Sequence, residues 1–181
     1  MIIVMGLPGA GKSTVLKGAL PENSKMFNYG TLMFEIAKER FGVDNRDHIR
    51  KLPLNQQKEI QRAVAEKLSD ETGNVVLDTH CSVKTPKGYL PGLPFELLSK
   101  LDVNAVVLIT ATPEEVFARR GNDSSRDRKD DLTLKDVAEH DSINRTLLAV
   151  YAAHRGCPAK IIYNAQGKIE DAKAELKKIL E

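Results

Sequence analysis

The stretch Gly6-Leu7-Pro8-Gly9-Ala10-Gly11-Lys12-Ser13 narrows the folds open to this chain more than any other. It reads G-x-x-x-x-G-K-S and is framed as that motif requires. Before it, Met1-Ile2-Ile3-Val4-Met5 is a short apolar run suited to a buried strand; after it, Thr14 to Leu20 can carry a helix to Pro21. Strand, glycine-rich turn and helix start, in that order, make a phosphate-cradling P-loop. The glycines let backbone N–H groups turn toward an anion without Cβ clashes. The helix start adds unpaired N–H groups and the positive end of its dipole. Lys12 is expected at the β/γ-phosphates of a nucleoside triphosphate, and the Ser13 hydroxyl on Mg²⁺.

Strand and helix patterns then alternate along the chain, which predicts an α/β fold with a parallel sheet covered on both faces. Strands are expected at 2–5, 26–29, 74–78, 105–110 and 160–163. Val75-Val76-Leu77, Ala105-Val106-Val107-Leu108-Ile109 and Ile161-Ile162-Tyr163 are continuous apolar runs, as buried parallel strands should be. Thr112-Pro113-Glu114-Glu115 combines an N-cap, a first-turn proline and a capping-box Glu; Thr133 and Asp136 open a long helix to about residue 155. Ile60, Val64 and Leu68, and later Ile169, Ala172, Leu176 and Ile179, are core stripes of two further helices.

Two stretches interrupt the alternation. About forty-five residues separate the second and third strands, where a crossover needs about a dozen; they read as helices at 30–41, 46–51 and 54–72. Residues 121–131 are polar and almost without apolar side chains, which predicts a surface loop. Either insertion could reach over the P-loop.

One domain fits 181 residues, and 41% hydrophobic with 29% charged residues is an ordinary composition for a globular domain. A net charge of +2 is too small to argue for bulk nucleic-acid binding, and no apolar run is long enough to span a membrane. With a strand expected from residue 2 there is no room for a signal peptide. Cys81 and Cys157, far apart and outside any CxxC spacing, suit a reducing compartment, hence a cytoplasmic location. Zinc lacks ligands.

Asp78 ends an apolar strand. A carboxylate at a strand C-terminus beside a P-loop can hold Mg²⁺ or its waters. Arg126 and Arg128 in the polar loop, with Arg119 and Arg120 before it, offer bidentate, permanently charged partners for a transferring phosphoryl group. One helix turn cannot aim both Arg119 and Arg120 at the site, and Arg120 lies nearer the loop. Arg50 lies in the first insertion, which Asn28-Tyr29-Gly30-Thr31 opens; Thr31 could cap a helix or present N–H groups to an acceptor. His140, Asn144, Leu147 and Tyr151 share a helix face with Val137, where a buried, hydrogen-bonded His is the commoner case.

Taken together the chain resembles the archaeal-type adenylate kinases over nearly its whole length. The resemblance is carried by Gly6–Ser13, Phe27–Glu35, Arg46–Leu52, Asp78-Thr79-His80, Val83–Pro94 and Asp141–Arg145, of which the Lys84–Pro94 segment is the most specific. It implies ATP + AMP ⇌ 2 ADP with Mg²⁺, on a P-loop nucleoside monophosphate kinase fold with a five-stranded parallel sheet flanked by helices. It further implies a core of 1–29, 74–119 and 133–181, an AMP-binding insertion at 30–73, a short lid at 120–132, and a homotrimer. Residue by residue, Gly6, Leu7, Pro8, Gly9, Ala10, Gly11, Lys12, Ser13 and Thr14 would hold ATP. Gly30, Thr31, Arg50 and Gly92 would hold AMP, with Asp78 organising Mg²⁺ through water. Lys12, Arg120, Arg126, Arg128 and Arg145 would face the transferring phosphoryl. Many adenylate kinases outside this branch carry an Arg in the loop after the Asp-bearing strand. Leu93-Pro94 stands there instead, leaving Lys84, Lys87 or His80 as substitutes. Two rival readings are a kinase of another nucleoside monophosphate and an ATP-regulated binding switch. The absence of an aromatic-rich basic stretch counts against RNA as the partner of a switch.

Overall fold

The structure is a computed structural model that describes residues 1–49, 51–121 and 133–181. Five apolar stretches form one parallel sheet: β1 (Ile2–Gly6), β2 (Lys25–Asn28), β3 (Val75–Thr79), β6 (Ala105–Thr110) and β7 (Ala159–Tyr163), in the order β2-β3-β1-β6-β7. Register places Val4 beside Asp78 and Met5 beside Thr79, so β1 and β3 end together. β1, β3 and β6 are the inner strands and almost entirely buried, as their unbroken apolar runs require. The third apolar run behaves differently. β7 is a sheet edge, with Ile162 buried but Tyr163 51% exposed, because no described strand covers its outer side.

Helices α1 (Lys12–Ala19) and α8 (Ile169–Leu180) cover one face. Val15, Leu16 and Ala19 pack with Ala172, Leu176 and Leu180 over Val4, Val107 and Ile162. The other face carries α2 (Tyr29–Phe41), α4 (Leu54–Ser69), α5 (Phe95–Leu98) and α7 (Leu134–Arg155) over Ile3, Met5, Leu77 and Leu108. The expected stripe Ile60, Val64 and Leu68 is buried there. The short α3 (Arg46–Ile49) follows α2, and α6 (Pro113–Gly121) follows β6.

Helix ends obey their local signals. Thr133 accepts from Asp136 N–H while the Asp136 carboxylate accepts from Thr133 N–H, a closed capping box. Thr112 and Glu115 exchange the same pair of bonds at α6. The differences are informative. Tyr29 begins α2 instead of ending β2; of the helix expected at 46–51 the described part is Arg46–Ile49, and the one expected at 54–72 ends at Ser69. Helix α6 runs through Gly121, so the expected lid boundary at residue 120 falls inside a helix.

The sequence patterns assign no element to the segment after β3. It forms an antiparallel hairpin, β4 (Ser82–Thr85) with β5 (Gly88–Pro91), followed by α5. Thr85 Oγ1 donates to the Gly88 carbonyl and accepts from Lys87 N–H, closing the turn. The hairpin is tied back to α7 by Ser82, whose hydroxyl donates to Asn144 Oδ1 (2.6 Å) and lies 3.0 Å from His140 Nε2. His140 is thus the buried, bonded histidine that the helix face suggested.

Candidate active site

The P-loop turns between β1 and α1. Gly11 is the N-cap of α1 at φ +83°, a conformation that side chains rarely adopt, and a Cβ there would lie 2.3 Å from Asn164 Nδ2. The first N–H groups of α1, at Lys12 and Ser13, have no partner within the helix and are left for an anion. Leu7 and Ala10 are not contacts only: both are buried against Ala111, Val116 and Val137, which pins the loop to α6 and α7. Ser13 and Thr14 are exposed.

Three residues hold the loop from outside the motif. Asn164, just past β7, donates from Nδ2 to the Ala10 carbonyl (2.9 Å) and from its backbone N–H to Thr110 (2.7 Å). Arg120 Nε donates to the Pro8 carbonyl (2.7 Å), and Arg119 Nη2 to the Asn164 carbonyl (2.9 Å). Of the two arginines at the end of α6, Arg120 reaches the loop directly, whereas Arg119 bonds the Asn164 carbonyl and not the loop itself.

At the C-terminal edge of the sheet Lys12 Nζ pairs with Asp78 Oδ1, both side chains being 12% exposed. Burial pushes the Lys12 pKa down to about 8, so the ammonium keeps its charge at neutral pH. Asp78 Oδ2 accepts from Asn28 Nδ2 (2.8 Å). Asn28 Oδ1 in turn accepts from the Thr31 N–H (2.9 Å) and hydroxyl (3.1 Å), so Asn28 is the N-cap of α2. Thr31 is capped and is not itself the cap, correcting that alternative. Arg46 Nη2 donates to Thr31 Oγ1 (2.6 Å), with its guanidinium 5.9 Å from the Phe34 ring centre. Gly30 lies beside this junction, 3.9 Å separating an added Cβ from Arg46 Nη1.

Other expected residues lie apart from this line or outside it. Gly92 has a backbone reason to be glycine: an added Cβ would lie 2.0 Å from the His80 carbonyl oxygen. Arg145 is held by Asp141 (2.6 Å) and the Tyr163 hydroxyl (2.9 Å), bracing α7 against the sheet edge. Lys84 is paired with Asp136 at 3.0 Å. Arg50, Arg126 and Arg128 lie outside the described residues. Asn28, Arg46 and Asn164 were not singled out from the sequence; only Asn28 carried a usable signal, a preferred cap residue directly before a helix.

Hydroxyl and carboxylate oxygens are the donors that Mg²⁺ accepts when phosphates and waters complete its shell, so Ser13 and Asp78 fit that ion. Among the described residues no group of three His, Cys, Asp or Glu could hold a metal by itself. Nor is any described helix long and apolar enough to cross a membrane.

A family model described as an AAA domain matches residues 5–136. The adenylate kinase of Methanothermobacter thermautotrophicus is 42% identical over 184 residues, covering 100% of this chain and 99% of its own. That of Pyrococcus horikoshii is 43% identical, with 100% and 95% covered, and that of Methanocaldococcus jannaschii is 40% identical, with 100% and 98% covered. Among solved structures, shikimate kinase from Bacteroides thetaiotaomicron superposes with a TM-score of 0.55 at 19% identity, covering 99% of this chain and 97% of that one. Shikimate kinase from Acinetobacter baumannii, in complex with shikimate, gives 0.57 at 18% identity, with 99% and 92% covered. Those two likenesses speak to the fold alone.

Proposed function

The chain belongs to the adenylate kinase family and functions as an adenylate kinase, and we propose that it moves the γ-phosphoryl of ATP reversibly onto AMP, giving two ADP, at the C-terminal edge of the sheet. The observation that carries this is the unbroken line Lys12–Asp78–Asn28–Thr31. It sets the anion loop of one nucleotide and the start of the inserted helices within one bonded chain. In-line transfer needs two phosphate-binding ends side by side.

In this reading Gly6–Thr14 hold the ATP phosphates. Lys12 leaves Asp78 for the β/γ-oxygens, which replaces one anionic partner by another and keeps the ammonium charged. Ser13 and the Asp78 carboxylate would hold Mg²⁺, the latter through water, and that ion would supply positive charge to the transferring phosphates. Gly30, Thr31 and Arg50 receive AMP, and Gly92 lets the chain pass close under His80. Arg120, Arg126 and Arg128 neutralise the moving phosphoryl, with 120–132 as a short lid and 30–73 as the AMP-binding insertion. Two thiols outside any disulfide, Cys81 with its pKa pushed up to about 12 by burial, suit a reducing cytoplasm. A homotrimer follows from the resemblance, and sedimentation of the purified protein tests it.

The functional test is ATP with each nucleoside monophosphate, the diphosphates being resolved by chromatography. AMP is expected to be the best acceptor and ADP the only product. Equal or greater turnover with CMP or UMP would reject AMP as the acceptor.

A further inference from the structure

We propose that Asn28 is a positioning residue that couples the two nucleotide sites, the proposal resting on the assignment of ATP to the P-loop and AMP to the start of α2. Its side chain is bonded at both ends. Nδ2 donates to Asp78 Oδ2 at 2.8 Å, and Oδ1 accepts two bonds from Thr31, at 2.9 Å and 3.1 Å. A helix cap needs only the oxygen. The amide nitrogen is surplus to capping, and it is spent on the one carboxylate that faces the P-loop lysine.

The consequence is geometric. Asp78 is 8% exposed and its Oδ1 is buried against Lys12, so the direction of that oxygen is set by what holds Oδ2. Asn28 is what holds it. The same residue fixes the first turn of α2, where Arg46 meets Thr31 at 2.6 Å. An AMP phosphate that pulls on Thr31 or Arg46 therefore pulls, through one rigid amide, on the carboxylate that Lys12 must leave when ATP arrives. Backbone register supports the same link, since Asn28 is paired with Asp78 across β2 and β3.

Two substitutions separate capping from coupling. Asn28→Ser keeps a good cap oxygen but cannot reach Asp78. Asn28→Asp keeps the cap and turns the donor into a second carboxylate facing the first. Calorimetry gives the Kd of AMP alone and in the presence of a non-hydrolysable ATP analogue with Mg²⁺. Native protein should bind AMP at least about fivefold more tightly with the analogue present, the lower end of usual coupling between sites. In Asn28→Ser that ratio should fall to near one, with AMP affinity alone changed less than about threefold. Turnover should drop about tenfold or more at saturating nucleotides, as for other residues that orient a functional carboxylate. Asn28→Asp should lose at least as much turnover and melt lower, because two carboxylates at this distance repel.

An unchanged ratio in Asn28→Ser, or no coupling in the native protein, would overturn the proposal. So would a loss confined to the KM for AMP, which is what a cap alone would give. Failure of the native protein to convert ATP and AMP to ADP would instead reject the functional reading, so the two failures are distinct.

Discussion

Replacing Lys12 by Met should damage turnover and stability by separate amounts that follow from its surroundings. Among the described residues the ammonium is the sole partner of Asp78 Oδ1, a buried oxygen with no other bond there. Methionine keeps an unbranched apolar stem in the same channel but leaves that oxygen unsatisfied. Breaking a fully buried pair costs about 3–5 kcal/mol. Both side chains here retain 12% exposure, so water can partly replace the ammonium, and about 2 kcal/mol is the better figure. For a chain of this size that is a melting-point drop of roughly 4–8 °C. Turnover should fall by about 10²–10³-fold, the worth of one charge aimed at a developing anion. Melting by circular dichroism and ADP formation at saturating ATP and AMP read the two effects. Adding Asp78→Asn should restore part of the melting point, because an amide is cheaper to leave there than a carboxylate, and none of the turnover. Native melting in Lys12→Met would refute the balance drawn between Lys12 and Asp78; native turnover would refute Lys12 as a phosphate ligand.

Four further outcomes are expected. Gly92→Ala should destabilise the protein by about 3 kcal/mol in urea titration, since its Cβ would drive into the His80 carbonyl and the Gly92–Cys81 backbone bond would open; a change under about 1 kcal/mol would contradict the close approach. The kcat/KM for ATP should hold below pH 8 and fall as pH rises through about 8. The free enzyme's Lys12, lowered by burial, loses there the proton that the phosphates need; a flat profile to pH 9.5 would count against it. Asn164→Ala leaves the Ala10 carbonyl without its side-chain donor and should raise the KM for ATP about fivefold, the worth of about 1 kcal/mol, while sparing the KM for AMP; an effect on AMP alone would place Asn164 on the wrong substrate. Arg46→Ala should raise the KM for AMP more than it lowers kcat, because its contact with Thr31 precedes transfer; steady-state kinetics with AMP varied decides this.

Local rules made the P-loop, the inner strands and Asp78 legible, because each is written in contiguous residues. A buried parallel strand is an apolar run, and a capping box is four residues long. The hairpin at Ser82–Pro91 escaped the same rules because β5 is half exposed and leaves no apolar stripe. A turn signal was nevertheless present: Thr85-Pro86-Lys87-Gly88 places Pro second and Gly fourth, with Gly88 at φ +116°. The cap of α2 was readable too, since Asn directly before a helix outranks a Thr inside it. What no local rule could supply is contact at long range. Asn164 meets Ala10 across 154 positions and Asn28 meets Asp78 across 50. Likewise, the sequence nominated Arg50 and gave no reason to choose Arg46, four residues earlier, which faces Thr31.

The missing arginine after β3 has a cause in that long-range packing. Leu93 is fully buried, its N–H donating to the Tyr151 hydroxyl at 3.3 Å, and that hydroxyl donates to the Cys81 carbonyl at 2.9 Å. Gly92, just before it, is pressed beneath the His80 carbonyl. An arginine at 93 would carry a charge into this buried seam between α5 and α7. The seam is what fastens the hairpin to the core, so a cation can be added there only at the expense of the packing. In the reading proposed above, charge for an acceptor phosphate comes from the inserted helices. Lys84 does not stand ready for it, being engaged with Asp136 at the start of α7. Arg46 does, because its guanidinium is already on Thr31, at the helix start that Asn28 ties to Asp78. In that same reading, the acceptor's charge partner lies on the insertion, and the bonded line through Asn28 ties it to Asp78.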